Sequence, residues 1–334
     1  MRFPFVFLVF SFFAPVPAGA IEPLHPVEIK EWPVADSARP RDPFAADADT
    51  VWFVDQGDNF IGRLDPASGV IRRFALADEP GPHNLIQGPD GAIWYTGNIA
   101  AYVGRFDPAT AAIEKIAMPA GQADDPHTLV ADPGGQFVWF TAQWANAVGR
   151  IRLADRRVEL IEVPTPRARP YGIVVAPDGR TWVALLGTDK LASIDPASLA
   201  LTEHAVAPGS RPRRIGVTTD GRVYYTDYRR GKLGRLDPRT GKLDEWALPQ
   251  GGGGGPYGMA VDRRDRVWLV ETGAEPNTFV GFDPARDAII SVTPIPSGAG
   301  SVRHMHYHAP SGTVWFGTDA QTIGRARVDT WVGN

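Results

Sequence analysis

The chain has 334 residues, with 34 Lys and Arg against 38 Asp and Glu, giving a formal net charge of −4. That balance leaves no basic surplus to neutralise a phosphate backbone, which argues against nucleic acid as a partner. Cysteine is absent, so disulfides and thiolate metal sites are ruled out, while 36 Gly and 31 Pro spread along the chain imply frequent turns.

The first segment reads as an export leader. Arg2 supplies a positive start, Phe3 to Phe13 an apolar run, and Ala18-Gly19-Ala20 a small-residue cleavage signal. Cleavage is expected after Ala20, which leaves residues 21–334 as one periplasmic or secreted domain, expected to be monomeric. The leader is too short and too rich in proline to span a bilayer, and no later stretch is apolar enough to do so.

From Pro40 onward one unit recurs, with starts at Pro40, Pro82, Pro126, Pro170, Pro212, Pro256 and Arg303. Each copy carries an apolar strand, a turn, a Trp-centred strand, a Gly-Arg strand and an alternating fourth strand. The aromatic slot holds Trp52, Trp94, Trp139, Trp182, Tyr224, Trp268 and Trp315. A large ring at one fixed point per repeat is what packing neighbouring sheets face to face requires. Gly-Arg recurs at Gly62-Arg63, Gly104-Arg105, Gly149-Arg150, Gly234-Arg235 and Gly324-Arg325, and blades four and six depart with Ala192-Ser193 and Gly281-Phe282. No segment sustains a helical period. These features predict an all-β, seven-bladed β-propeller of four-stranded blades. The seventh unit stops short of its fourth strand, and Val27–Pro33 resembles the other fourth strands, so the N-terminal strand is predicted to pair into the last blade and close the ring.

The second residue of each unit opens a strand expected to line the channel. Those residues are Arg41, His83, His127, Tyr171, Arg213, Tyr257 and His304. They are candidate binding groups for a small molecule or peptide over the channel; the plain alternative is a wet tunnel of hydrogen-bonded side chains. In blade seven His304, His306 and His308 share one face of a strand. His306 aligns with the packing residues Leu85, Leu129, Ile173, Ile215 and Met259. Two readings stay open for these histidines: hydrogen-bonded core imidazoles, or ligands of a zinc ion. Asp55, Asp227 and Glu271 follow the aromatic by three residues and Asp319 by four. Asp55 and Asp227 read as strand-end caps. His304 with Asp319 reads as a general base beside a carboxylate, or beside Mg²⁺ held by Asp319 and Glu271.

The repeated Pro-His/Tyr-Gly, Pro-Asp-Gly, Trp-Phe-Thr and Ile-Gly-Arg phrases resemble the streptogramin B (virginiamycin B) lyase family across residues 21–334. The resemblance implies ring-opening elimination on a cyclic depsipeptide or related ester, with a histidine base and Mg²⁺ stabilising the developing negative charge. It matches His304 to the base and Asp319 to a metal-binding glutamate, with Tyr257 and Arg213 aiding binding. Val302 and Tyr257 stand where the family has a glutamate and a histidine. Two other readings are a non-catalytic propeller binding a peptide, glycan or envelope protein, and a metal-dependent lactonase of the gluconolactonase type.

Overall fold

The computed structural model describes residues 24–330; the expected leader and its cleavage site lie outside them. Seven four-stranded antiparallel sheets make a β-propeller, six of them built from consecutive strands. In the seventh, Glu28–Pro33 joins the edge of Thr322–Arg327, in register from Glu28 opposite Arg327 to Pro33 opposite Thr322. The closing strand is held by specific contacts. Trp32 stacks on Trp315 at 5.4 Å. The Glu31 carboxylate accepts hydrogen bonds from the Thr322 hydroxyl at 2.6 Å and from the Ser297 hydroxyl and backbone N–H at 2.7 and 2.8 Å.

Burial grades outward from the channel. Second strands such as Val51–Asp55, Ile93–Gly97 and Val267–Glu271 are buried at every position, because both faces meet a neighbouring blade. Outer strands such as Ile113–Ala117 are mostly exposed. The Gly-Arg slot has a steric cause. A Cβ on Gly62, Gly104, Gly149, Gly234 or Gly324 would run into the ring of Phe53, Tyr95, Phe140, Tyr225 or Phe316 on the adjoining strand. In blade four the partner across the strand is Val183, which leaves room for Ala192. In blade six Gly281 sits one register place further along, under Trp268 itself. The arginines of the slot lie over the aromatic slot, as Arg150 does over Trp139 at 5.4 Å and Arg325 over Trp315 at 5.8 Å.

Blade seven corrects the repeat frame. In the other blades the fourth residue past the start pairs with the aromatic, as Ile86 does with Trp94, Val174 with Trp182 and Ala260 with Trp268. In blade seven that partner of Trp315 is His306. The unit therefore starts at Val302, its slot residue is Arg303, and His304 falls one place beyond the slot. The cause is a longer turn: the hairpin closes at His308 opposite Thr313, and the one extra turn residue is shared only with blade three, where Val130 pairs with Trp139.

Candidate functional site

All seven first strands start at the same mouth of the channel, here the upper one. The slot residues meet there as a ring. His83 packs at a tilt against His127 with ring centroids 3.9 Å apart, and His127 likewise against Tyr171 at 4.3 Å. The Tyr171 and Tyr257 hydroxyls are hydrogen-bonded to each other. The Arg213 guanidinium lies 3.6 Å from the Tyr257 ring centroid and 4.2 Å from that of Tyr228. Arg41 donates to an Asp319 oxygen at 3.0 Å, and Arg303 donates to the same oxygen. The Tyr257 ring thus meets two guanidinium groups, Arg213 at 3.6 Å and Arg214 at 5.8 Å, while Arg41 and Arg303 converge on Asp319.

Threonines two places past the aromatic slot set this ring in place. The Thr96, Thr141 and Thr226 hydroxyls accept from the backbone N–H groups of Asn84, Thr128 and Arg214 on their own blades. Each hydroxyl also donates to the carbonyl of a slot residue on the next blade: His127 at 3.1 Å, Tyr171 at 2.9 Å and Tyr257 at 3.4 Å. One hydroxyl thus fixes two adjoining first strands.

Beneath the ring lies a charged plug that sequence reasoning missed. Arg214 donates from Nε to the Arg303 carbonyl at 2.7 Å and from Nη1 to the Thr128 hydroxyl at 3.1 Å, and its Nη2 is 3.7 Å from Asp42. Asp42 also accepts from Asn84 at 2.8 Å. A signal existed in the sequence. The third residues of the other units are Asn84, Thr128, Gly172, Gly258 and, in the corrected frame, His304; only Asp42 and Arg214 carry a formal charge, and with opposite signs.

Burial governs the imidazoles. It pushes His83 down to about 4, with Asp42 opposing and the nearby arginines reinforcing. Burial and then His83 hold His127 well below the usual histidine range, and burial and then Arg214 do the same for His304. All three are neutral at pH 7.

The lower mouth is of another kind. A cavity of about 470 Å³ is lined by Phe44, Ile86, Val130, Val174, Met259 and their neighbours, together with His304 and His306. His306 stacks on Phe44 at 4.0 Å, and burial drives its pKa to about 3. His308 Nδ1 is bonded to the Ser311 hydroxyl at 2.7 Å. His306 and His308 therefore have separate partners, and His304 Nδ1 is buried without a hydrogen-bond partner. Among the described residues no group of three His, Asp or Glu side chains is placed to share a metal ion.

The expected metal carboxylates are also engaged. Glu271 accepts from the Gln250 backbone N–H at 3.0 Å and the Thr278 hydroxyl at 3.3 Å, which ties down the glycine-rich loop, and burial raises its pKa. Asp227 anchors the equivalent loop through the Arg211 N–H at 3.0 Å, and Asp55 caps its own hairpin turn through the Asp58 N–H at 2.8 Å. Asp319 is bound by two guanidinium groups, and Val302 beside it in the unit is wholly buried and apolar. A divalent cation would find one carboxylate here, already neutralised, so these residues do not fit Mg²⁺.

The sequence matches the virginiamycin B lyase family model over residues 12–197 and 156–333. No curated protein matches it. Among solved structures, virginiamycin B lyase from Staphylococcus aureus is similar with a TM-score of 0.80 and 22% identity, covering 90% of this chain and 99% of that one. A catalytically inactive histidine-to-alanine variant of that enzyme with quinupristin gives the same TM-score, identity and coverage. Hydrazine synthase from Kuenenia stuttgartiensis is similar with a TM-score of 0.73 and 15% identity, covering 94% of this chain and 99% of that one. At these identities the likenesses establish the fold.

Proposed function

Because the chain belongs to the virginiamycin B lyase family, we propose that it is an exported, lyase-like propeller that receives a cyclic depsipeptide or related ester-bearing molecule across its upper mouth. The observation that carries this reading is the gathering at one mouth of Arg41 and Arg303 on Asp319 and of Arg213 on the Tyr257 ring. Ring-opening elimination removes a proton next to a carbonyl, breaks a carbon–oxygen bond and releases a carboxylate, so negative charge develops on substrate oxygens. Fixed guanidinium groups and a phenol in a partly dehydrated mouth stabilise such charge without reorganising. Neutral imidazoles are available on the same ring, and His83 Nδ1 is buried without a hydrogen-bond partner. His83 is therefore the base assigned by this reading, in place of His304, which lines the lower cavity.

The test is incubation of the mature protein with a type B streptogramin, with and without Mg²⁺, followed by mass spectrometry. Elimination gives an opened product of unchanged mass that is lost in His83→Ala. A product heavier by one water indicates lactone hydrolysis instead. A second reading, a binding propeller without chemistry, is favoured by the neutralised state of Asp319. Saturable binding of an unchanged substrate selects it.

A further inference from the structure

We propose that the upper mouth contains an oxyanion clamp centred on Arg213, which selects ligands carrying a free carboxylate or an equivalent oxyanion. The inference rests on the reading above and deepens it: the free carboxylate is the group that ring opening releases, so the clamp holds the acid end formed in that reaction.

Charge count is the first argument. The mouth and the plug beneath it contain the guanidinium groups of Arg41, Arg213, Arg214 and Arg303, against the carboxylates of Asp42 and Asp319. Four cations face two anions. Arg41 and Arg303 share Asp319, and Arg214 has Asp42, while Arg213 packs on the rings of Tyr171, Tyr228 and Tyr257 and, among the described residues, meets no carboxylate. An excess of fixed positive charge in a partly dehydrated recess favours an anion there.

Geometry is the second. Arg213 stacks on the Tyr257 ring at 3.6 Å and lies 4.2 Å from the Tyr228 ring centroid. Stacking satisfies the faces of a planar guanidinium; the edge has the Tyr171 hydroxyl as one hydrogen-bond partner, and its remaining N–H groups are left to bind an oxyanion in plane. Arg213 Nε is buried with no hydrogen-bond partner. The recess also has room for the rest of a ligand. Beyond Tyr228 a cavity of about 380 Å³ is bounded by the glycine-rich loop at Gly252 and Gly253 and by two more cations, Arg211 and Arg229. A ligand whose acid group sits on Arg213 can lay its body along that cavity.

The experiment is equilibrium binding to the mature protein of a fluorescently labelled short peptide with a free C-terminal carboxylate, beside the same peptide as its C-terminal amide. The acid is expected to bind at least about tenfold more tightly than the amide, as a charge-assisted hydrogen bond warrants. That margin should shrink as salt rises. Arg213→Ala should abolish it while the melting temperature stays native, and Arg213→Lys, which keeps the charge but loses the planar edge, should restore part of it. Competition by inorganic phosphate supports the clamp and shows that any oxyanion satisfies it. Equal binding of acid and amide, or an undiminished preference in folded Arg213→Ala, overturns the inference. Failure here with streptogramin still opened leaves the elimination reading intact; acid-selective binding without ring opening does the reverse.

Discussion

The two mouths of the channel are built by the same seven strands, yet they share almost no chemistry. At the upper mouth each strand begins with an arginine, histidine or tyrosine, and the ring is charged and aromatic. Three residues along, the same strands present Phe44, Ile86, Val130 and Val174, and at that place in blade seven stands His306. Between the two lies the Arg214 and Asp42 plug. The difference shows how a propeller separates tasks: the strand ends at one mouth are free to carry function, while the other ends hold the blades together.

The largest effect of a single substitution is expected from the plug that divides the mouths. Asp42 sits at a φ of 36° and is almost fully buried, and asparagine tolerates that backbone region. Asp42→Asn should leave Arg214 buried without an anion and cost about 3 kcal/mol or more in a denaturant titration. A loss below about 1 kcal/mol would mean that the plug is hydrated and that the mouths communicate.

Acid should act next, and on both mouths at once. His83 at about 4 and His306 at about 3 lie below the unfolded value of 6.5. Their stabilising contribution is full above pH 6.5 and is lost as pH falls toward those folded values, because the unfolded chain takes up protons first. Each pK unit is worth about 1.4 kcal/mol, so His83 alone contributes on the order of 3 kcal/mol. Unfolding midpoints recorded from pH 7 down to pH 4 should fall steadily; a flat profile would contradict the buried, neutral state of both rings.

His306→Phe separates the two contributions. It keeps a ring against Phe44 and should change stability at pH 7 by less than about 1.5 kcal/mol while making the acid decline shallower. An unchanged acid slope would assign that decline to the other buried imidazoles, His83, His127 and His304.

The smallest stability effect is expected at the upper rim. Arg303→Ala removes one of the two partners of a partly exposed Asp319 and should cost under about 1 kcal/mol. Its ring-opening rate with a type B streptogramin should nonetheless fall about tenfold or more, since charge stabilisation is lost. A large loss of stability with unaltered turnover would make the rim structural.

The blades, the aromatic slot and the closing strand were all legible in the sequence, because each rests on a residue type that packing demands once per repeat. Trp94 and Gly104 are examples: a ring has one place to go, and the glycine across from Tyr95 has no substitute. The ring Arg41, His83, His127, Tyr171, Arg213 and Tyr257 was legible for a related reason, as the proline before each residue marks the strand start. Blade seven was misread where that mark is missing. Val302 replaces the proline, and a turn longer by one residue shifted the count, so His304 stood where Arg303 belongs. The partnership of Arg41 and Arg303 on Asp319 joins the first blade to the last and has no local pattern.

The seam between Glu31 and Thr322 spans 291 positions of chain. Two consequences follow for how the molecule is made and lost. The circle is completed by the longest-range contact available, which places seam formation late and makes assembly slow compared with the forming of any single sheet. Once that strand peels away, Thr322–Arg327 becomes a naked edge able to accept the same segment from a second molecule, so damage at Trp32 or Glu31 should surface as exchanged dimers and not as an unravelled monomer.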